Sequence, residues 1–312
     1  MTMRIAYAGT PEFAVPALRS LLAGNVDLVC VITQPDRKSG RGRKIIESPV
    51  KKLSIASNVR VFQPENINDQ ASLDVLDAME LDLLIVAAYG QIFSQKLLAI
   101  PRLGCINIHA SLLPRWRGAS PIQHAILAGD KGTGITIMQM CLAMDAGDIW
   151  LQKSTDIRDD DTAQSLHDRL AAMGGEIITQ AVDILADGHA RPEKQAQNEA
   201  TYCTKLQKSN GLISWQENSE KILRKIRAFY PWPGSYTMLA DRRLVIVDAS
   251  LVDTPATDKA PGTIFHLSKE GIFVATGSGT LRIEMLTPEG GKKMRAADFS
   301  NANNILNCVL GE

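Results

Sequence analysis

Residues 105–127 read CINIHASLLPRWRGASPIQHAIL. An apolar run from Cys105 to Ile108 admits one asparagine and ends on His109; a small-residue turn, LLP, the basic aromatic RWRG and a helical pattern follow. Side chains two apart in a strand face the same side, so Asn107 and His109 point together. The rest of the run is apolar on both faces, as in a strand inside a parallel sheet covered by helices. A polar pair at the carboxyl end of such a strand lies where open α/β sheets place ligands.

Working outward, the same kind of strand recurs. MRIAYAG (3–9), VDLVCVITQ (26–34) and LDLLIVAAYG (81–90) are buried-type strands. Between them lie helices. TPEFAVPALRSLLAG has Thr10 at the N-cap, Pro11 in first position and Gly24 as terminator; SPVKKLSIASN is opened by Ser48 and Pro49; NDQASLDVLDAME is a third. VRVF is a brief strand before that third helix. Alternation of this kind predicts an α/β fold with a doubly wound, mostly parallel sheet. TGITIMQM (133–140) and DIWLQKSTDI (148–157) read as a hairpin, and 162–188 as one long helix.

The character changes after residue 189. Residues 190–207 are polar and aperiodic and read as a linker. Beyond them come one helix, ENSEKILRKIRAF, and short alternating segments such as RRLVIVDASLV and GIFVATGSGTLRIEMLTP. Many short strands in so few residues predict a small antiparallel barrel. The expected division is a catalytic domain over 1–189, the linker, and a C-terminal domain over 208–312.

The chain's 312 residues suffice for two domains, and 45% apolar with 22% charged residues is ordinary globular composition. No apolar run reaches membrane-spanning length, and the opening MTMRIAYAG lacks a secretory-signal pattern. Five widely spaced cysteines (30, 105, 141, 203 and 308) form no CxxC pair, which predicts reduced thiols and a cytoplasmic location. Thirty-four basic and 34 acidic side chains cancel. The stretch DRKSGRGRKIIESPVKK (36–52) departs from that balance with seven Lys and Arg against Asp36 and Glu47. It reads as a mobile basic loop, either a solvated face or a phosphate-binding element.

Chemistry centres on Asn107 and His109, which together can hydrogen-bond an oxyanion and shuttle a proton. MDAGD supplies a carboxylate, Asp145 or Asp148, to orient and charge-balance His109, unless it is simply a hairpin turn. Other chemistries lack their signatures. AGTPEFA is not a GxGxxG dinucleotide fingerprint, and no GxSxG elbow, Walker A loop or metal-ligand spacing occurs, so no metal is expected. Gly9 and Pro11 serve either a tight turn or a substrate contact. Cys105 reads as core. Trp116 either stacks on a ligand or packs. FYPWPG (229–234) reads as a rigid domain-junction plug rather than a base-stacking surface.

With these residues in hand, the chain resembles the folate-dependent formyltransferases along essentially its full length. The resemblance rests on AGTPEFA (8–14), AAYGQI (87–92), GCINIHASLLPRWRGASPIQHAI (104–126), GITIMQM with MDAGDI (134–149), and IRAFYPWPGSYT (226–237). QPDRKSGRGRK (34–44) narrows it to the branch acting on methionyl initiator tRNA in translation initiation. Ala110 and Ser120 stand where related sequences often carry Gly or Ala. The resemblance implies a catalytic trio of Asn107, His109 and Asp145. It places the co-substrate 10-formyltetrahydrofolate against Ser111, Leu112, Leu113 and Pro114, near Tyr89 and Gly90. It assigns Arg37, Lys38, Arg41, Arg43 and Lys44 to the tRNA acceptor arm, and it makes residues 208–312 an OB-like barrel that helps hold tRNA. The reaction it implies is direct attack of the aminoacyl α-amino group on the formyl carbon, through a tetrahedral intermediate. Two alternatives remain: an N-formyltransferase for an amino-sugar nucleotide, which the basic loop disfavours, and a non-catalytic tRNA-binding protein, which the intact trio disfavours.

Overall fold

The computed structural model describes residues 2–39, 44–253 and 259–311. They fall into two compact units, Met1–Pro121 with Gly132–Asp156 and His167–Cys203, and Ile122–Lys131 with Ile157–Leu166 and Thr204–Glu312.

The first unit is built on a seven-stranded sheet. Its strands are β1 (Arg4–Gly9), β2 (Asp27–Ile32), β5 (Val61–Phe62), β6 (Leu83–Ala87), β7 (Cys105–His109), β9 (Gly132–Gln139) and β10 (Ile149–Asp156). Their order is β10-β9-β7-β6-β1-β2-β5. Every pair from β5 to β7 is parallel, and β9 and β10 add an antiparallel edge. The chain runs outward from β1 to β2 and β5, then returns to β6 on the other side of β1. That reversal between β1 and β6 is a topological switch point, and the crevice it opens lies beyond the carboxyl ends of the two strands.

Both faces of the central strands are covered. Ala6, Ala8, Cys30, Ile32, Leu84, Val86 and Cys105 form one core with Leu73 and Leu76 of α3 (Gln70–Asp77) and Leu97 of α4 (Gln95–Leu98). On the opposite face Ile108 approaches Gly174 of the long helix α6 (Ala163–Asp187), whose Gly175 meets Pro16 of α1 (Val15–Ala23). Strand alternation therefore sends Asn107 and His109 to the α3/α4 side, with Cys105.

The first strand–helix turn differs from its sequence reading. Thr10 does not cap α1; a 3₁₀ turn at Glu12–Ala14 precedes the helix, whose N-cap is Ala14 with no side-chain bond. The Thr10 hydroxyl instead donates to the Tyr89 carbonyl (3.2 Å) and accepts from the Gln34 amide (3.3 Å). It ties together the chain just past β1, β2 and β6, where loose backbone groups need partners more than the helix does. Gly9 is buried; a Cβ there would lie 2.7 Å from Ala14 Cβ and 3.0 Å from the Ala87 carbonyl, so close packing accounts for this glycine.

The basic stretch departs from a plain loop. β3 (Arg37–Ser39) and β4 (Lys44–Ile46) pair antiparallel, Arg37 opposite Ile46. Two β-branched isoleucines favour extended backbone there. Helix α2 (Pro49–Ala56) follows as expected, with the Ser48 hydroxyl accepting from the Lys51 amide at 3.0 Å.

In the second unit, α7 (Ser219–Ala228) packs against a six-stranded antiparallel sheet. The strands are β12 (Ser235–Leu239), β13 (Arg242–Val252), β14 (Ile264–Ser268), β15 (Gly271–Ala275), β16 (Thr280–Pro288) and β17 (Met294–Arg295). The order is β12-β13-β16-β15-β14, with β17 on β16. The chain end occupies both outer edges: Leu310 bridges Leu239 of β12, and Val309 bridges Thr263 just before β14. Those bridges close the sheet into the barrel form expected from the short strands. Inside it the Trp215 indole donates to Thr237 Oγ1 at 2.9 Å. Among the described residues no helix is long and apolar enough to cross a membrane, and all five cysteines are free.

Thr10→Val is expected to cost about 1–3 kcal/mol, since it leaves two backbone groups without their partner. A thermal midpoint equal to that of the unaltered chain would show that the hydroxyl does not tie the strand ends.

Candidate active site

His109 ends β7 and is only 5% exposed. Its Nε2 lies 3.0 Å from the carbonyl of Trp116, and its Nδ1 lies 3.6 Å from Asp145 Oδ2. A carbonyl only accepts, so Nε2 carries a proton, and the carboxylate that Nδ1 faces likewise only accepts. The carboxylate behind Nδ1 fixes the ring's orientation. Asp145 is thus the aspartate brought to the ring. Asn107, two residues back on the same face, is half-buried, and its amide makes no side-chain hydrogen bond among the described residues. An unengaged amide beside an imidazole N–H is a pair of donors with no internal acceptor to satisfy them both.

The acceptors around His109 are themselves held. Trp116 sits at φ +62° and Asp145 at φ +49°. A left-handed conformation is costly for a tryptophan and persists only where neighbours over-determine it. The Trp116 amide donates to Thr201 Oγ1 at 2.9 Å, and the Cys203 thiol lies 3.4 Å from its carbonyl. Asp145 Oδ2 accepts from the Gly118 amide at 2.8 Å. β8 (Arg117–Gly118) pairs in parallel with β11 (Tyr202–Cys203). Gly118 is obligatory at that seam. Its φ is +120°, and a Cβ would fall 2.2 Å from the Cys203 carbonyl oxygen.

Of the segment expected to be a linker, the residues up to Cys203 take part in the first unit. Besides β11, Glu193 and Ile149 exchange backbone bonds at 2.7 and 2.8 Å. Arg117, read from sequence as part of a basic turn, is 1% exposed. Its guanidinium bonds Gln195 Oε1 through Nε (3.0 Å) and Nη2 (2.7 Å), and Gln197 Oε1 through Nη1 (2.9 Å). Gln195 and Arg117 are functional-site residues that motif reading missed. Arg115, by contrast, is exposed and lies over the Trp116 ring at 4.4 Å, so that indole is covered on one face by its neighbour.

The residues assigned to the co-substrate divide. Ser111 and Leu113 are buried: the Ser111 hydroxyl donates to the Arg115 carbonyl (2.6 Å), and Thr136 of β9 braces the Ser111 carbonyl and the Leu113 amide. They build the turn. Leu112 and Pro114 are half-buried, and Gly90 is exposed at φ +96°. Tyr89 is buried in the α3/α4 core beside Phe93, and burial pushes its phenol up to about 12. The nearest atom to a Cβ built on Gly90 is Gln34 Nε2, at 3.9 Å. That nitrogen is buried and has no acceptor among the described residues, and the same holds for the Tyr89 hydroxyl. The Gln34 amide, beside Gly90 at the switch-point crevice, is a donor open to an acceptor atom of a ligand, whereas the Tyr89 hydroxyl belongs to a side chain in the core. Cys105 is 1% exposed and packs in the core, and burial pushes its thiol up to about 12.

Of the basic residues, Arg37 is exposed, and the backbone of Lys38 and Lys44 lies in the β3–β4 pair. Arg41 and Arg43 lie outside the described residues. Lys51 is engaged internally, with Asp36 and, at 3.3 Å, with Glu47. Tyr230 and Trp232 of FYPWPG are exposed within their unit, and Phe229 is buried.

Residues 3–182 match the model of the formyl transferase family, and residues 205–304 that of the formyl transferase C-terminal domain. A methionyl-tRNA formyltransferase of Marinobacter nauticus is 49% identical over 96% of both chains. Among solved structures, an N-formyltransferase from Helicobacter canadensis, in complex with folinic acid and dTDP-3-aminofucose, superposes at TM-score 0.68. It is 17% identical, with 90% of this chain and 99% of that one covered. HypX from Aquifex aeolicus, in complex with tetrahydrofolic acid, gives 0.64 at 17% identity, over 96% of this chain and 47% of that longer one. At such identities the two structures establish the fold.

Gly118→Ala is expected to destabilise several times more than Gly188→Ala. The latter has φ +71° with nothing within 4 Å of its Cβ position, so it carries only the backbone cost, about 1–2 kcal/mol. Denaturant titration of the two variants compares them. Equal losses would mean that the β8–β11 seam yields.

Proposed function

The chain belongs to the methionyl-tRNA formyltransferases, and from that premise we propose that it moves the formyl group of 10-formyltetrahydrofolate to the α-amino nitrogen of methionyl initiator tRNA. The observation that carries this reading is the Asn107–His109 donor pair at the end of β7, with Asp145 behind the ring at 3.6 Å.

The folate is a co-substrate that supplies the formyl carbon and accepts the electron pair when its nitrogen leaves. The acceptor's α-amino group ionises near pH 7.7–8.0 in ordinary peptides, about where the neutral nucleophile is already available. Asn107 donates its amide N–H to the oxyanion that develops as the amine attacks. His109 donates Nε2–H, which a charged oxygen takes in preference to the neutral Trp116 carbonyl. Asp145 holds the ring and balances its charge while the proton lost by the amine is passed to the departing folate nitrogen. In this reading the co-substrate's ring lies by Gln34 and Gly90, with Leu112 and Pro114 at its side; Tyr89, Ser111 and Leu113 act by shaping that wall.

The basic stretch 36–52 supplies the RNA contact. Arg37, Lys38, Arg41, Arg43 and Lys44 neutralise phosphates of the acceptor arm, which positions the acceptor end rather than reading its sequence.

Asn107→Ala and His109→Ala are each expected to lower kcat by about 10²–10³-fold, the usual loss for an oxyanion donor, while tRNA binding persists. Near-normal turnover of either variant with methionyl-tRNA would remove that residue from the mechanism. Replacing Arg41 and Arg43 by Gln should flatten the dependence of log affinity on log salt by about 0.7–0.9 for each phosphate left unneutralised, with folate affinity unchanged. An unaltered salt slope would detach the basic stretch from the RNA.

A further inference from the structure

We infer that Gln195 is a positioning residue for the catalytic aspartate, acting as a clamp that converts the buried charge of Arg117 into hold on the Asp145 loop. Its side-chain oxygen takes two N–H groups of the guanidinium, at 2.7 and 3.0 Å. Its side-chain nitrogen donates to the carbonyls of Asp145 (2.9 Å) and Gly147 (2.6 Å). Gln195 is 6% exposed and Arg117 1%, so none of these bonds competes with bulk water. One amide thus joins β8 to the loop that carries Asp145, and both ends of the join bear on His109: β8 through the Gly118 amide on Asp145 Oδ2, the loop through the carboxylate itself.

The residue type is informative. A buried guanidinium is best neutralised by a carboxylate, and a glutamate has the same reach. Among the described residues no carboxylate hydrogen-bonds Arg117; its acceptors are the amide oxygens of Gln195 and Gln197, with the Tyr202 hydroxyl at 3.5 Å. A glutamate at 195 would match the charge but have no N–H for the carbonyls of Asp145 and Gly147. The sequence keeps the donor and leaves the guanidinium without a hydrogen-bonded carboxylate among the described residues. That choice favours control of the loop over stability of the pair. The positive charge also polarises the amide, so its N–H groups donate more strongly than those of an unbound glutamine.

The loop needs such control. Asp145 is left-handed at φ +49°. A Cβ at Gly147 would lie 1.8 Å from the Gln139 carbonyl oxygen, so the loop presses on β9 at a residue with no side chain to anchor it. Without the clamp, the backbone at 145 is free to leave the left-handed region, and the carboxylate swings away from both Gly118 and His109.

The activity arm of the test rests on the formyl-transfer reading; the exchange arm does not. Gln195→Glu keeps an acceptor for Arg117 and removes the donors, and Gln195→Met removes both at similar volume. Each is made in the full-length chain, alone and with Asp145→Asn, and assayed with 10-formyltetrahydrofolate and methionyl-tRNA. Gln195→Glu should lower kcat by about 10–100-fold, as loss of an outer support of an active-site ligand does, with both KM values within about threefold of the unaltered chain. In the Asp145→Asn background it should cost less than about threefold, because the group it positions is already lost. Exchange of the Gly118 amide, read by NMR, should quicken at least about tenfold in either single variant. Undiminished kcat in Gln195→Glu, an equal loss in the Asp145→Asn background, or unchanged Gly118 exchange would each overturn the clamp. If Gln195→Glu does not fold, Gln195→Met is read against the same outcomes. If the unaltered chain transfers no formyl group to methionyl-tRNA, the functional reading falls, while Gly118 exchange still decides the clamp.

Discussion

A buried imidazole held between two acceptors is the interaction on which the active site depends. His109 faces the Trp116 carbonyl with one nitrogen and the Asp145 carboxylate with the other. Both acceptors stand on residues with positive φ, +62° and +49°, that a free chain would rarely adopt. Neither residue can hold its place alone. The sheet delivers His109 and Asn107 to the switch-point crevice. What surrounds them exists in large part to keep an unfavourable turn and an unfavourable loop where the ring needs them.

That support comes from residues 193–203. They bridge Ile149, bond Trp116 through Thr201, pair with β8 through Tyr202 and Cys203, and grip Arg117 through Gln195 and Gln197. Thr201 also donates its amide to the Pro114 carbonyl, at the end of the turn proposed to flank the co-substrate. One strap thus secures the Pro114–Gly118 turn and, through Gln195, the Asp145 loop. The active site is complete only when the chain has returned from the far end of α6, 25 residues long, to lie across it. The same physical device recurs at Thr10, where a hydroxyl joins strand ends that no regular hydrogen-bond ladder can join.

Much of this was legible in the sequence, and the boundary of legibility has a physical basis. Period-two alternation suffices to put Asn107 and His109 on one face, and unbroken apolar runs suffice to make β1, β2, β6 and β7 parallel and buried. These are local signals. Arg117 and Gln195 carry none: arginine and glutamine are usually exposed, and their partnership spans 78 positions. β8 and β11 are two residues each, too short for any period to show, so polar composition alone makes 190–207 look like a tether. Thr10 looks like an N-cap because Thr-Pro before an apolar helix is a strong local pattern; the backbone groups that outcompete the helix for its hydroxyl, at Gln34 and Tyr89, are distant in sequence. Choosing Asp145 over Asp148 likewise needed either family resemblance or coordinates, since both fit a turn.

The site depends on which acceptors His109 faces, and ¹⁵N NMR of the histidine-labelled protein, with His109 assigned through a His109→Gln variant, reads that directly. Donation to the Trp116 carbonyl requires a proton on Nε2, so the Nε2 resonance should show the shift and coupling of a protonated ring nitrogen. A bare, pyridine-type Nε2 with the proton on Nδ1 alone would contradict the geometry, and with it the role given to the Trp116 turn and the strap that holds it.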